Sequence, residues 1–272
     1  MIQQRVQLLF QQGKLRSDLR NSMGRDAAAV AFVIDLRLDD TLCLWNGDLV
    51  PAFVKGASLE EWFRASASNK NGDSQRGSPD HLAGFGRLNI VTALNAAEQI
   101  GAIRQLALAA KRNDSTNVVV VFPAPRPQLR ARWDAAMKLA GSKGLPVVFV
   151  VHGAWKTDDP STPEAFLNGI PAISVDGSDA VAAYRVACEA IVRARQRRGP
   201  SLVECVALSQ TPPPSPEADR IHLQTGTPFP MDSSVAMKDY LKLRGLWSEE
   251  SYRQKVADIE SELDLATRFL ND

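Results

Sequence analysis

The chain has 272 residues, of which 44% are hydrophobic and 23% are charged, as in ordinary soluble globular proteins. A formal net charge of +1 gives no reason to expect a nucleic acid or an acidic membrane as a partner. Cys43, Cys188 and Cys205 show no CxxC spacing, so we expect neither a zinc cluster nor a redox pair. The N-terminus lacks the apolar core of a secretory signal, so we expect a cytoplasmic protein. Its basic, amphipathic character keeps a transit peptide as the alternative.

The first 85 residues carry the weakest structural pattern of the chain. Residues 27–38 suit either a helix or a strand, and residues 66–80 are polar and rich in turn formers, which is typical of a mobile loop. Residues 89–112 then predict one long helix, closed by a polar segment before a run of valines.

Continuous apolar runs indicate parallel strands buried on both faces. We expect these strands at residues 118–122, 145–151, 171–175 and 201–208. Helical stripes lie between them, one including Trp133 and one running from Val181 to Ile191, with Ser178 as the expected cap of the second. Strand–helix–strand alternation predicts an α/β fold with a mainly parallel sheet and helices on both faces.

A final helix is predicted over residues 248–269. Its apolar residues alternate spacings of four and three, which is a heptad-like seam that packs on another helix of this chain or of a partner. The seam consists of Tyr252, Val256, Ile259, Leu263, Ala266 and Leu270. We predict a single domain with a poorly recognisable part at 1–85, a sheet core at 86–208, a proline-rich linker at 209–230 and a helical arm at 231–272.

Four segments occur in an order and spacing that resemble a known family. They are LPVVFVV at 145–151, NGIPAISVDGSDAVAAYRVACEAIVRAR at 168–195, GPSLVE at 199–204 and DYLKLRGLWSEE at 239–250. From about residue 98 onward the chain resembles the alpha subunit of the thiamine-diphosphate-dependent first component of 2-oxo acid dehydrogenase complexes. Pyruvate, branched-chain 2-oxo acid and acetoin dehydrogenases belong to this family. The resemblance implies a thiamine-diphosphate-binding-type fold with a C-terminal helical arm.

The resemblance also implies where a cofactor site would lie. In the family the valine strand runs into Gly-Asp-Gly, whose aspartate binds Mg²⁺, and an asparagine after the next strand adds a second ligand. Counted without gaps, Gly-Asp-Gly falls on Ala124, Pro125 and Arg126, and the asparagine pair falls on Gly153 and Ala154. These residues lack ligand chemistry, so we expect no metal ligand, no catalytic residue and no bound cofactor. Thiamine diphosphate and Mg²⁺ are expected only if the chain is active.

Other family positions differ as well. A Tyr-Arg pair falls on Asn46 and Gly47, and TPPPSP at 211–216 replaces the active-site loop with its histidine. We assign no catalytic role to the three histidines of this chain. His152 lacks the base-and-nucleophile company that acyl or proton chemistry needs, a loop residue is the simpler interpretation of His81, and His222 lies in the linker.

Charged residues near the strand ends receive mainly structural interpretations. Asp176 and Asp179 suit a turn and a helix start. The arginines at 193, 195, 197 and 198 suit a solvated helix end. Those at 126, 130 and 132 replace the metal-binding turn and make an anionic ligand an alternative.

Three functions remain open at this point. The chain is a non-catalytic alpha-subunit-like protein, an active dehydrogenase subunit working with a beta subunit, or a module that binds a small anion. For its partners we expect either a homodimer or an alpha/beta hetero-oligomer, with the 252–270 seam and the 89–112 helix as candidate contact faces.

Overall fold

The computed structural model describes residues 2–15, 26–45, 49–67, 86–93, 96–113, 115–123, 130–152, 166–167, 169–206 and 233–270. The helices are α1 (Ile2–Gln11), α2 (Asp26–Val33), α3 (Leu49–Val54), α4 (Leu59–Ser66), α5 (Ala96–Arg112), α6 (Arg130–Lys143), α7 (Ala180–Arg195), α8 (Ser233–Leu243) and α9 (Glu249–Thr267). The strands are β1 (Thr41–Trp45), β2 (Ile90–Ala93), β3 (Val119–Val121), β4 (Val147–His152), β5 (Phe166–Leu167), β6 (Ile170–Asp176) and β7 (Ser201–Val206). Within these ranges, no helix is long and apolar enough to cross a membrane.

The strands form one sheet in the order β2-β1-β3-β4-β7-β6-β5. All neighbours are parallel except β5, which pairs antiparallel with β6 at the edge. The central register places Cys43 beside Val121 and Val121 beside Phe149. The predicted α/β class with a mainly parallel sheet is therefore confirmed.

Side chains alternate between the two faces of the sheet, and each face carries its own hydrophobic layer. Val120, Val148 and Val203 face the larger layer, which also receives α1, α2, α3, α4, α7 and α9. Val121 and Phe149 face the smaller layer, which contains α5 and α6. Because both faces are covered, the strands read as nearly continuous apolar runs. Burying each large apolar side chain contributes about 1.5–3 kcal/mol.

The predicted strands at 118–122, 145–151 and 171–175 are confirmed as β3, β4 and β6. The strand predicted at 201–208 is confirmed as β7 as far as Val206. The helix predicted at 248–269 is α9, and residues 27–38 begin with helix α2. Residues 68–80, 207–232, His81 and His222 lie outside the described residues. The division into four segments stays a prediction.

Two local predictions are wrong. The segment 89–112 is not one helix, because Ile90–Ala93 pairs with β1 as strand β2 before α5 begins at Ala96. The cap of α7 is Asp179 rather than Ser178, because the Asp179 carboxylate accepts from Val181 N and Ala182 N at 2.9 and 3.0 Å.

The C-terminal seam is partly used inside the chain. Leu263 and Ala266 are 3% exposed and belong to the larger layer, where α9 packs on α4. Tyr252, at the other end of the seam, remains 46% exposed. Only the first half of the seam therefore offers apolar surface to a partner.

Candidate functional site

The carboxyl edge of the sheet is the natural place for a ligand. The chain passes from β1 outward to β2 and then crosses back to β3, so the strand order reverses between β1 and β3. Ligands of open parallel sheets bind outside the carboxyl ends of the strands at such a switch point. In this chain that edge lies beyond Trp45 of β1 and Val121 of β3.

The positions on which the family's metal ligands are expected to fall come shortly after β3 and β4 in the sequence. Ala124, Pro125 and Arg126 come just after Phe122 and Pro123, and Gly153 and Ala154 come just after His152. All five lie outside the described residues, as do Asn46 and Gly47. What the structure does place is the preceding framework, in which β3 and β4 are adjacent and parallel. The two strands therefore end at the same edge of the sheet.

His152 closes β4 at this edge. Its ring stacks on that of Phe122, with centroids 6.2 Å apart and planes 20° apart. Its register partner on β7 is Cys205, which is 4% exposed. Burial, followed by the nearby charge of Glu204, raises the pKa of the Cys205 thiol to about 12. The thiol is therefore protonated at neutral pH and is not a nucleophile.

Glu204 is a buried carboxylate that sequence reasoning missed. It is 1% exposed, and its carboxylate accepts a 2.8 Å hydrogen bond from the Ser174 hydroxyl on β6. Its register partner is Val151, one residue before His152, so the glutamate and the histidine point to opposite faces of the sheet. Glu204 and His152 cannot act together as an acid–base pair. The only sequence signal for Glu204 was an acidic residue inside an apolar run.

Gln99 holds the end of β3. It is the fourth residue of α5 and 1% exposed, and its Nε2 donates to the Phe122 carbonyl at 2.9 Å. A carbonyl oxygen only accepts, so the carboxamide must turn its NH₂ group toward Phe122. This leaves Gln99 Oε1 without a hydrogen-bond partner.

Trp133 lies on the neighbouring helix. It is the fourth residue of α6 and fully buried, as its predicted packing role requires. Its indole Nε1 has no hydrogen-bond partner. Packing was predictable from the helical stripe, whereas the unpaired donor was not.

The acidic residues after β6 have structural roles. Asp176 Oδ1 accepts from the amide and the hydroxyl of Ser178 at 2.9 and 2.6 Å, forming a turn. Asp179 lies at the start of α7, so the interpretation of this pair as a turn and a helix start is confirmed. Among the described residues, no group of three histidine, cysteine or acidic side chains could hold a metal.

The arginines at the end of α7 do not gather at the carboxyl edge. Arg195 binds the buried carboxylate of Asp40, with nitrogen–oxygen distances of 3.0 and 2.7 Å, and donates to the Thr116 carbonyl at 3.0 Å. Asp40 precedes β1, and Thr116 precedes β3, so this network lies at the opposite, amino edge of the sheet. Arg195 is therefore a structural residue.

The whole chain was compared with known proteins. Residues 1–269 match the family described as dehydrogenase E1 component. The chain belongs to this family. The alpha subunit of Bacillus subtilis acetoin:2,6-dichlorophenolindophenol oxidoreductase is 28% identical over 74% of this chain and 64% of its own length. The alpha subunit of Mycobacterium tuberculosis 3-methyl-2-oxobutanoate dehydrogenase is 31% identical over 58% of this chain and 47% of its own length.

This chain spans only about half to two thirds of the lengths of these two relatives. Among solved structures, a thiamin diphosphate-dependent enzyme from Mycobacterium smegmatis aligns with a TM-score of 0.43. The alignment has 14% identity and covers 70% of this chain and 32% of that one. The family match and the two alpha subunits named above confirm the resemblance to the 2-oxo acid dehydrogenase alpha subunits at the level of family.

Proposed function

We propose that this chain is an E1 alpha-subunit-like protein that keeps the family framework but does not bind Mg²⁺–thiamine diphosphate and is not catalytic, so that its role is structural, regulatory or the binding of another ligand. The observation that carries the proposal is the pair Pro125 and Gly153, on which the two metal-ligand positions of the family fall when the resemblance is counted without gaps. Proline offers no side-chain oxygen and no N–H, and glycine offers no side chain at all.

The chemistry of the ion supports this proposal. Mg²⁺ requires near-octahedral oxygen coordination and is usually held by one or two carboxylates together with phosphates and water. Phosphate groups are commonly cradled by backbone N–H groups at a glycine-rich turn. The three prolines at 123, 125 and 127 remove three of those donors from the segment after β3. The residues present do not fit the metal and its diphosphate.

The described groups at the carboxyl edge give no substitute catalyst. The Cys205 thiol is protonated, because burial raises its pKa to about 12. His152 faces Phe122 and points away from the face that carries Glu204. Acid–base or nucleophilic catalysis needs such groups within hydrogen-bonding reach of one another.

An active dehydrogenase subunit is the second candidate function. It is favoured by the relatives, whose names describe alpha subunits of an acetoin oxidoreductase and of a 3-methyl-2-oxobutanoate dehydrogenase. A beta subunit would then complete the enzyme. An anionic ligand bound by Arg126 and Arg130 is the third candidate, favoured by the position of Arg126 in the segment before α6 and of Arg130 at the first residue of α6.

Thermal unfolding tests the proposal. A ligand present at a hundred times its Kd stabilises the native state by about 2.7 kcal/mol. We expect no increase in Tm when magnesium and thiamine diphosphate are added together at that excess over a micromolar Kd. A clear increase that requires both magnesium and thiamine diphosphate would favour the active subunit instead. An increase with inorganic diphosphate alone would favour the anion-binding module.

We further propose that the chain is not a monomer. Several large apolar side chains remain exposed on α8, α9 and the turn between them, and extended apolar patches are uncommon on monomers. They are Val235, Leu243, Leu246, Tyr252 and Leu265. A two-fold homodimer burying roughly 2,000 Å² or more would cover such a surface if no beta subunit is present.

Light scattering tests the assembly. We expect the purified chain to show about twice its 29.7 kDa mass at micromolar concentration. Leu243→Glu combined with Leu246→Glu should return it to the single-chain mass, because both side chains are more than two thirds exposed and do not support the core. Lys242→Glu, on the same helix, serves as the control for added negative charge. A single-chain mass for the unaltered protein contradicts the homodimer.

A further inference from the structure

Two buried polar atoms at the carboxyl edge lack hydrogen-bond partners. They are Gln99 Oε1 and Trp133 Nε1, and their side chains are 1% and 0% exposed. Buried polar groups in native proteins are almost always paired, so each such atom calls for an explanation. Gln99 Oε1 is an acceptor and Trp133 Nε1 is a donor, so one polar group that both donates and accepts could satisfy both atoms.

Their positions in the fold match. Each is the fourth residue of its helix, Gln99 in α5 and Trp133 in α6. The two helices contact each other and pack on the same face of the sheet. Both begin at the carboxyl edge, because each follows a parallel strand that ends there. The two unpaired atoms therefore lie in the first turns of adjacent helices beside the switch point.

Other contacts hold the two side chains in place. The NH₂ group of the Gln99 carboxamide donates to the Phe122 carbonyl at 2.9 Å, so the carboxamide cannot flip without losing this hydrogen bond. The Trp133 ring is held in the layer formed with Ile103, Met137 and Val121. Neither group can reach solvent in this conformation. A hydrogen-bond partner must therefore be brought to them.

We propose that the first turns of α5 and α6 form a binding site for a small uncharged polar group, such as a carboxamide or a hydroxyl. The ligand donates one hydrogen bond to Gln99 Oε1 and accepts one from Trp133 Nε1. Both protein groups are neutral, so a charged ligand would be buried without a counter-charge from either of them. This proposal is independent of whether thiamine diphosphate binds, because it uses neither Pro125 nor Gly153.

Ligand entry requires a change of conformation. Both atoms are sealed from solvent in this conformation, so a ligand binds only to a conformation in which they are accessible. The ligand thereby selects a minor open state, and its apparent affinity is reduced by the small population of that state. Small fragments should accordingly saturate the site only at millimolar concentrations.

NMR of the indole N–H groups tests the proposal on the full chain, without magnesium or thiamine diphosphate. Five tryptophans give five indole resonances, and Trp133→Phe identifies the one that belongs to Trp133. The probes are acetamide, which donates and accepts, acetone, which only accepts, and acetate, which is charged and does not donate. Trp247, whose Nε1 donates to Glu249 at 3.0 Å, is the internal reference on the surface.

We expect acetamide to move the Trp133 resonance saturably while the Trp247 resonance stays in place. Acetone should bind about tenfold more weakly, because it leaves Gln99 Oε1 unpaired, and acetate should have no effect. Gln99→Leu should weaken acetamide binding by about tenfold, the loss expected for one hydrogen bond.

Two results would overturn the proposal. One is the absence of any saturable movement of the Trp133 resonance with acetamide. The other is an equal response to all three probes, which would indicate a solvent effect. Thermal unfolding of Trp133→Phe gives a second readout, because the same concentration of acetamide should raise the Tm of the unaltered protein more than that of the variant, which has lost one of the two hydrogen bonds.

Discussion

At the scale of single residues, the contact between Asp40 and Arg195 is the main polar contribution to the fold. The Asp40 side chain is fully buried, and the Arg195 side chain is 15% exposed. Asp40 also accepts from the amides of Val118 and Arg37, so one carboxylate joins the starts of β1 and β3 to the end of α7. Its four hydrogen bonds offset the cost of removing the charge from water.

Arg195→Ala tests this contact. Removing the arginine takes away the ion-pair partner of a buried carboxylate, which costs about 3–5 kcal/mol of unfolding free energy. Urea denaturation should show the loss as a lower midpoint. The control is Arg253→Ala, which removes an exposed ion pair with Glu249 at 3.9 Å and should cost less than about 0.5 kcal/mol. Equal losses in the two variants would show that Arg195 is an ordinary surface residue.

The limits of sequence reasoning are clear at this scale. The sequence predicts that Arg195 belongs to a solvated basic helix end. Its ion pair with Asp40 was not predictable from the local sequence, because Asp40 lies 155 positions earlier in the chain. In the same way, the packing of Trp133 in the core was predicted and is observed. The lack of a hydrogen-bond partner for its indole Nε1 was not predictable, because it depends on residues that are distant in the sequence. Long-range pairing of polar groups has no periodic signal in a single sequence.

At the scale of elements, the strands with continuous apolar runs were predictable, including the three-residue β3, whereas β2 was not. β4 and β7 are buried throughout most of their length and stand out from their surroundings. β2 has four residues and is followed almost at once by α5, so its apolar residues merged with the helical pattern. Only its pairing with β1 distinguishes it, and that pairing is a tertiary contact.

The start of α7 offers a test at this scale. The Asp179 carboxylate accepts from two backbone amides that have no partner inside the helix. Asp179→Ala should therefore lower the free energy of unfolding by about 1 kcal/mol, whereas Asp179→Asn should retain most of it. Thermal unfolding of the two variants decides the matter. A loss in Asp179→Asn as large as that in Asp179→Ala would indicate that the charge, and not the cap, is what stabilises α7.

At the scale of the whole molecule, the sheet order and the two hydrophobic layers are those of an α/β protein with both faces of its sheet covered. The strands that would carry a cofactor site, β3 and β4, are paired as such a site needs. In the function that we propose, the change lies in the residues that follow them, because the family resemblance puts Pro125 and Gly153 where side chains with ligand oxygens are expected. The central claim is that the family framework has been kept while the chemistry for Mg²⁺–thiamine diphosphate has been lost.

Isothermal titration calorimetry of thiamine diphosphate into the purified chain with excess magnesium tests this claim most directly. The alpha subunit of Bacillus subtilis acetoin:2,6-dichlorophenolindophenol oxidoreductase, titrated alone under the same conditions, is the matched comparison. The account predicts no saturable heat for this chain at micromolar concentrations, including when magnesium is varied. A saturable, magnesium-dependent binding isotherm with micromolar Kd would contradict it.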